Sequence, residues 1–227
     1  MPAGPSFRRQ DTAPRFTNST VMSSTLPAVW PRPLRPGGTI GLVSPSGPSP
    51  RAAVERAVAE LERRRYRVVV GEHAADPDGG EYAPYLAGTD DARLSDLNRF
   101  LADPAVDLIL CVRGGYGAGR LLDRLDYDAA RRDPKPLVGY SDVTALSLAL
   151  AARANVVTFS GIMATAGHGF AEDTLDPFSE ASFWQAVGDG GFPRAFGPPE
   201  GAHPWRVHRP APGGALAVTG PVVPVCL

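Results

Sequence analysis

The chain has 227 residues, 43% hydrophobic and 21% charged, with a formal net charge of −1. That length suits one domain plus part of a second, and the near-neutral balance excludes the basic face expected of a nucleic-acid binder. No run nears the ~18–20 apolar residues of a membrane span, and two distant cysteines, Cys111 and Cys226, form neither a disulfide framework nor a zinc spacing.

Residues 1–35 are rich in Pro, Ser, Thr and Arg and lack the apolar core of a secretory signal, so they are read as a flexible leader. From Gly38 onward short apolar runs alternate with helical periodicity. Thr39 to Val43 is a strand, ended by the loop Ser44-Pro45-Ser46-Gly47-Pro48. Ser49 is placed as a helix cap with Pro50 at the first helical position, followed by Val54, Ala57, Val58 and Leu61 on one face. Arg67 to Val70 is the next strand. After a polar loop, Thr89 caps a second helix whose first turn carries Asp90 and Asp91 and whose buried face is Leu94, Leu97 and Leu101.

Further on come a strand over 106–112, a glycine-rich turn, a helix over 117–125, a short strand at 137–139, a helix over 142–153 and a strand over 156–159. Cys111 lies inside the apolar run and is read as a small core residue. Strands separated by amphipathic helices predict an α/β layer with a mostly parallel sheet. In such sheets the ligand site lies beyond the carboxyl ends of the strands. That directs attention to three loops, 44–48, 113–117 and 139–144.

The turn Gly139-Tyr140-Ser141-Asp142 joins a strand to a helix, which would push Ser141 out at the top of the sheet beside a helix N-terminus. Val143 stands where the elbow of many hydrolases has a second glycine. Taken alone, this turn is better read as capping of the helix by Ser141 or Asp142. The run Arg113-Gly114-Gly115-Tyr116-Gly117-Ala118-Gly119 follows a buried strand, where adjacent glycines allow close backbone approach to an oxyanion. Its spacing matches neither common nucleotide-binding glycine pattern.

Taken together, Arg113 to Gly117, Pro134-Lys135 and Gly139-Tyr140-Ser141-Asp142-Val143-Thr144-Ala145-Leu146 resemble the signature of the LD-carboxypeptidases, the family that includes muramoyltetrapeptide carboxypeptidase. The first loop, Val43 to Pro48, and the segment from Tyr85 through Asn98 are similar to that family too, and the resemblance runs from about Leu34 to Met163. It implies a flavodoxin-like N-terminal domain and a β-rich C-terminal domain. It also implies a cytoplasmic serine carboxypeptidase that removes a terminal D-amino acid from peptidoglycan-derived peptides, with a related branch that cleaves a peptide-nucleotide antibiotic and confers self-immunity. On this resemblance Ser141 is the nucleophile, and the backbone N–H groups of Gly115 and Asp142 form the oxyanion hole. The partner is a small peptide, a muropeptide, with a homodimer as one assembly open to the chain. Neither nucleic acid, membrane, metal nor cofactor is implied.

The family's base is a histidine oriented by a glutamate, both from the C-terminal domain. Residues 188–214 are crowded with Gly and Pro and read as a linker, and 205–208 and 215–218 as β segments opening a second unit. The domain boundaries expected are therefore 1–35, 36–187 and 188–227, with the triad glutamate and histidine absent from this chain. His73, His168, His203 and His208 are read as exposed loop residues, not as substitutes. Two rivals stay open: a non-catalytic peptide-binding α/β protein, and a nucleotide binder using Gly114 to Gly119.

Overall fold

The computed structural model describes residues 28–75, 85–166, 169–172 and 175–188, together with the backbone of two strands at 206–208 and 217–219. The main sheet has four parallel strands, β1 (Thr39–Val43), β2 (Arg67–Val70), β3 (Leu108–Cys111) and β4 (Leu137–Val138), in the spatial order β2-β1-β3-β4. Register is set by pairs such as Ile40 with Leu108 and Ile109 with Leu137. This is the flavodoxin-like order expected of the doubly wound class.

Side-chain alternation along the central strand explains the layers. Ile109 and Cys111 pack into one core with α2 (Asp90–Ala102), α3 (Tyr127–Arg132) and α4 (Thr144–Ala149). Leu108 and Leu110 face the opposite core, with α1 (Arg51–Arg63) and α5 (Pro177–Val187). A strand buried on both faces reads as a continuous apolar run, as the stretch around β3 does. Cys111 is fully buried, and burial alone pushes its thiol up to about 12.

Several elements differ from the sequence reading. The first helix begins one residue later, with Pro50 at the cap position and its carbonyl accepting from Ala53 and Val54. Ser49 instead shares a 2.7 Å hydrogen bond with Thr165. The cap at Thr89 is as expected, its hydroxyl accepting from the Ala92 N–H at 3.2 Å. The single helix expected over 117–125 is two 3₁₀ turns, 118–120 and 122–124, with Gly117 standing before the first at φ +115 and so outside any helix. The helix after Ser141 is composite: a 3₁₀ turn at 141–143, then α4, then a π turn at 150–154 closed by Asn155 in the left-handed region.

The run 156–159 makes two isolated parallel bridges, Val156 with Val29 and Phe159 with Val138, rather than a continuous strand. Residues 28–35 dock onto the domain. Arg32 pairs with Asp107 and Asp133, and Leu34 is 2% exposed. The helices α3 and α5 were not anticipated. The strands β5 (Arg206–His208) and β6 (Ala217–Thr219) form an antiparallel pair of their own. The remaining segments assigned to a leader, a linker and a second unit lie outside the described residues.

Candidate functional site

The three loops singled out in the sequence meet at the carboxyl ends of β1, β3 and β4. The Gly47 N–H donates to the Gly114 carbonyl at 3.2 Å, joining the first two. Gly114 packs directly on the third: a Cβ built there would lie 3.0 Å from the Ser141 Cβ and 3.2 Å from its Oγ. Glycine is thus required at 114 by the approach of the serine. Gly115 follows with φ +135, a conformation that side chains rarely adopt, and its own Cβ position is 3.1 Å from the Gly47 nitrogen.

Ser141 sits at the start of the helix after β4, exposed, with φ +63. Among the described non-glycine residues only Arg65 and Asn155 share a positive φ, and both close a helix. Ser141 opens one. Its strain comes from a chain that reverses within one residue, and such conformations persist only where the surroundings over-determine them. Gly139 makes room for the reversal, since a Cβ there would meet Val143 Cγ1 at 2.7 Å and Cys111 Cβ at 3.1 Å. Among the described residues no side chain takes a hydrogen bond from the Ser141 hydroxyl.

Asp142 does more than the sequence suggested. Its Oδ2 accepts from the Ser46 hydroxyl at 2.7 Å and from the Ala118 N–H at 2.8 Å. One carboxylate oxygen therefore ties the β1 loop and the segment after the glycine loop to the serine turn. Beneath it Arg93, whose side chain is 0% exposed, donates to the Pro45 carbonyl and pairs with Asp90. Burial lowers the Arg93 pKa, opposed by Asp90 and Asp142. Arg120 binds the same Asp90 at 2.8 Å and is the first cause of that carboxyl's lowered pKa. Neither the Ser46–Asp142 contact nor the burial of Arg93 has a local sequence signal, since each joins residues from different loops.

Ser141, Gly115 and Asp142 thus lie on loops brought into direct contact. Among the described residues no histidine joins them. His73 is half-buried rather than exposed, and its backbone N–H donates to the Asp96 carboxylate at 2.8 Å beyond β2. His168 and His203 lie outside the described residues, as does the side chain of His208. Among the described residues no group of three or more His, Cys, Asp or Glu could hold a metal.

The family model for the LD-carboxypeptidase N-terminal domain matches residues 40–161, which contain all three loops. The chain belongs to the LD-carboxypeptidase family. A Streptomyces coelicolor relative carrying a carboxypeptidase name is 44% identical over 137 residues, 60% of this chain and 44% of the relative. A Bacillus subtilis protein named a probable murein peptide carboxypeptidase is 35% identical over 155 residues, 68% of this chain and 46% of its own length. Among solved structures, the microcin C7 self-immunity protein MccF in complex with aspartyl sulfamoyl adenosine matches with a TM-score of 0.66 at 26% identity, covering 85% of this chain and 57% of MccF. This LD-carboxypeptidase chain spans less than half the length of the two curated relatives.

Proposed function

We propose that this LD-carboxypeptidase chain carries the nucleophile half of a cytoplasmic serine carboxypeptidase that releases a terminal D-amino acid, D-alanine, from peptidoglycan-derived peptides. The observation that carries this reading is the strained, exposed Ser141 at a strand-to-helix reversal, with a glycine loop packed against it. Strain at a solvent-facing serine has no role in packing, and it suits a hydroxyl held out for attack.

In this reading the Ser141 Oγ attacks the carbonyl preceding the terminal residue. The tetrahedral oxygen is received by the backbone N–H groups of Gly115 and Asp142, fixed donors that need no reorganisation as charge develops. Collapse expels the terminal amino acid as an amine and leaves an acyl group on Ser141, which water then removes. A serine hydroxyl needs a base to take its proton. The family resemblance assigns the triad histidine and glutamate to a C-terminal domain, and the chain covers 44% and 46% of the two curated relatives, so the 227 residues assayed by themselves are expected to turn over little substrate. Asp142 has a double duty: its N–H serves the oxyanion while its carboxylate holds the loops in register.

The test is a chimera in which residues 1–188 are continued by the remaining sequence of the Bacillus subtilis relative. A fluorophosphonate is expected to modify Ser141, located by peptide mass spectrometry. Modification of a different serine, with Ser141 untouched, overturns the assignment.

The likeness to MccF favours a second reading, a self-immunity peptidase acting on a peptidyl nucleotide. The same chimera separates the two: preferential cleavage of an aspartyl adenylate analogue over a muropeptide selects the second.

A further inference from the structure

We infer that Arg113 is the receptor for the terminal carboxylate of the substrate, so that the rim of the Ser141 site is a carboxylate subsite. This inference rests on the carboxypeptidase reading above and adds to it the group that selects a free chain end.

Arg113 leaves the end of β3 and opens the glycine loop. Its Nε donates to the Gly114 carbonyl at 3.2 Å and its Nη1 to the Pro48 carbonyl at 3.3 Å. The guanidinium therefore bridges the seam between the loops after β1 and β3. Gly114, one of its two anchors, is the residue against which Ser141 packs. Arg113 is an exposed residue, so the cation stands at the mouth of the site and not beneath it.

The electrostatic setting separates it from its neighbours. Arg93 and Arg120 both meet Asp90, and Arg124 meets Asp91. Arg113 has only neutral carbonyls as partners, and among the described residues no carboxylate pairs with it. A guanidinium has five N–H donors in a planar fork that matches a carboxylate. Two carbonyl bonds fix the plane of the fork and leave its Nη2 edge without an acceptor among the described residues. An oriented, unpaired cation at a serine site calls for an anionic ligand.

The chemistry supplies such an anion. In a peptide cleaved before its last residue, the carboxylate carbon lies at most about 4 Å from the carbonyl carbon under attack. A carboxylate so close to a developing oxyanion needs a cation to neutralise it. Charge-assisted bidentate pairing to Arg113 would do so and would set the register of the terminal residue. A peptide continuing past that residue, or capped as an amide, would leave the guanidinium unpaired.

The test is calorimetric titration of the 227-residue chain, in a Ser141→Ala background that prevents turnover. The two ligands are a murein tetrapeptide ending in D-alanine and the same peptide with a C-terminal carboxamide. The acid is expected to bind about tenfold or more tighter than the amide, the range of one charge-assisted pair. Arg113→Gln is expected to bring the acid down to the affinity of the amide, which itself stays unchanged. Arg113→Lys should keep part of the preference, because it retains the charge without the fork. Equal binding of acid and amide to the chain with Arg113 in place overturns the inference without touching the carboxypeptidase reading, and needs no variant to fold. A preference that survives Arg113→Gln also overturns it. Binding of neither peptide overturns the muropeptide reading and the subsite with it.

Discussion

The Ser46 hydroxyl donates to the Asp142 carboxylate across 2.7 Å, linking the loop after β1 to the residue that follows the elbow serine. The same oxygen accepts from the Ala118 N–H, so a single side chain aligns all three loops of the site. Asp142→Ala would leave a hydroxyl and an N–H without their acceptor. It is expected to destabilise the domain by about 1–3 kcal/mol. Asp142→Asn, which can still accept through its amide oxygen, should cost less. Urea midpoints of the two variants check this; equal midpoints would mean the carboxylate does not hold the loops.

The backbone at Ser141 gives a stability prediction independent of catalysis. With φ +63, an L-residue there bears a left-handed penalty of about 1–2 kcal/mol that glycine escapes. Ser141→Gly should therefore be more stable than Ser141→Ala by roughly 1 kcal/mol, even after the greater unfolded-state freedom of glycine is counted. Thermal melts of the pair decide it, and an alanine variant more stable than the glycine variant would remove the strained elbow.

Gly139 and Val143 should be coupled. A methyl at 139 meets Val143 Cγ1 at 2.7 Å, so Gly139→Ala is expected to cost about 1–3 kcal/mol by overpacking. Trimming the partner, as Gly139→Ala with Val143→Ala, should recover part of that loss and appear as non-additivity in a double-mutant cycle. Strict additivity would place the clash elsewhere.

Acid should weaken the seam that docks residues 28–35. Burial raises the Asp107 pKa, but the Thr39 N–H at 2.8 Å and the Arg32 guanidinium outweigh it and hold the carboxyl below its ordinary value. A depressed carboxylate contributes stability that is complete above its unfolded pKa, about 3.9, and is lost as pH falls through the lower folded value. Asp107→Asn should thus be less stable than the parent at pH 6, with the gap narrowing as pH falls below the unfolded value and through the lowered folded one. A gap that stays constant over that range would contradict the pairing.

The glycine loop was legible because its requirement is local: Gly114 and Gly115 must be glycine for steric reasons. The serine turn, which helix capping would equally produce, was legible only together with that loop and the ordered family motifs around it. The short helix α3 was missed because its buried face is only Ala129 and Ala130, too little for a periodic signal. In α5, Phe183, Trp184 and Val187 pack with Tyr66 and Phe170 from distant parts of the chain, contacts no window of sequence contains. The bridge from Val29 to Val156 was hidden in the same way, behind a composition that reads as a leader. At the site, the side-chain role of Asp142 and the burial of Arg93 depend on loop convergence, so sequence supplied Asp142 only through its backbone.

The most direct measurement is D-alanine release from a murein tetrapeptide by the chimera continued with the Bacillus subtilis sequence, with and without Ser141→Ala. The account predicts release that falls by three or more orders of magnitude, about 10³-fold at least, when the hydroxyl is removed, and little release from the 227-residue chain alone. Release undiminished by Ser141→Ala, or an ordinary enzymatic rate from the chain alone, would contradict it.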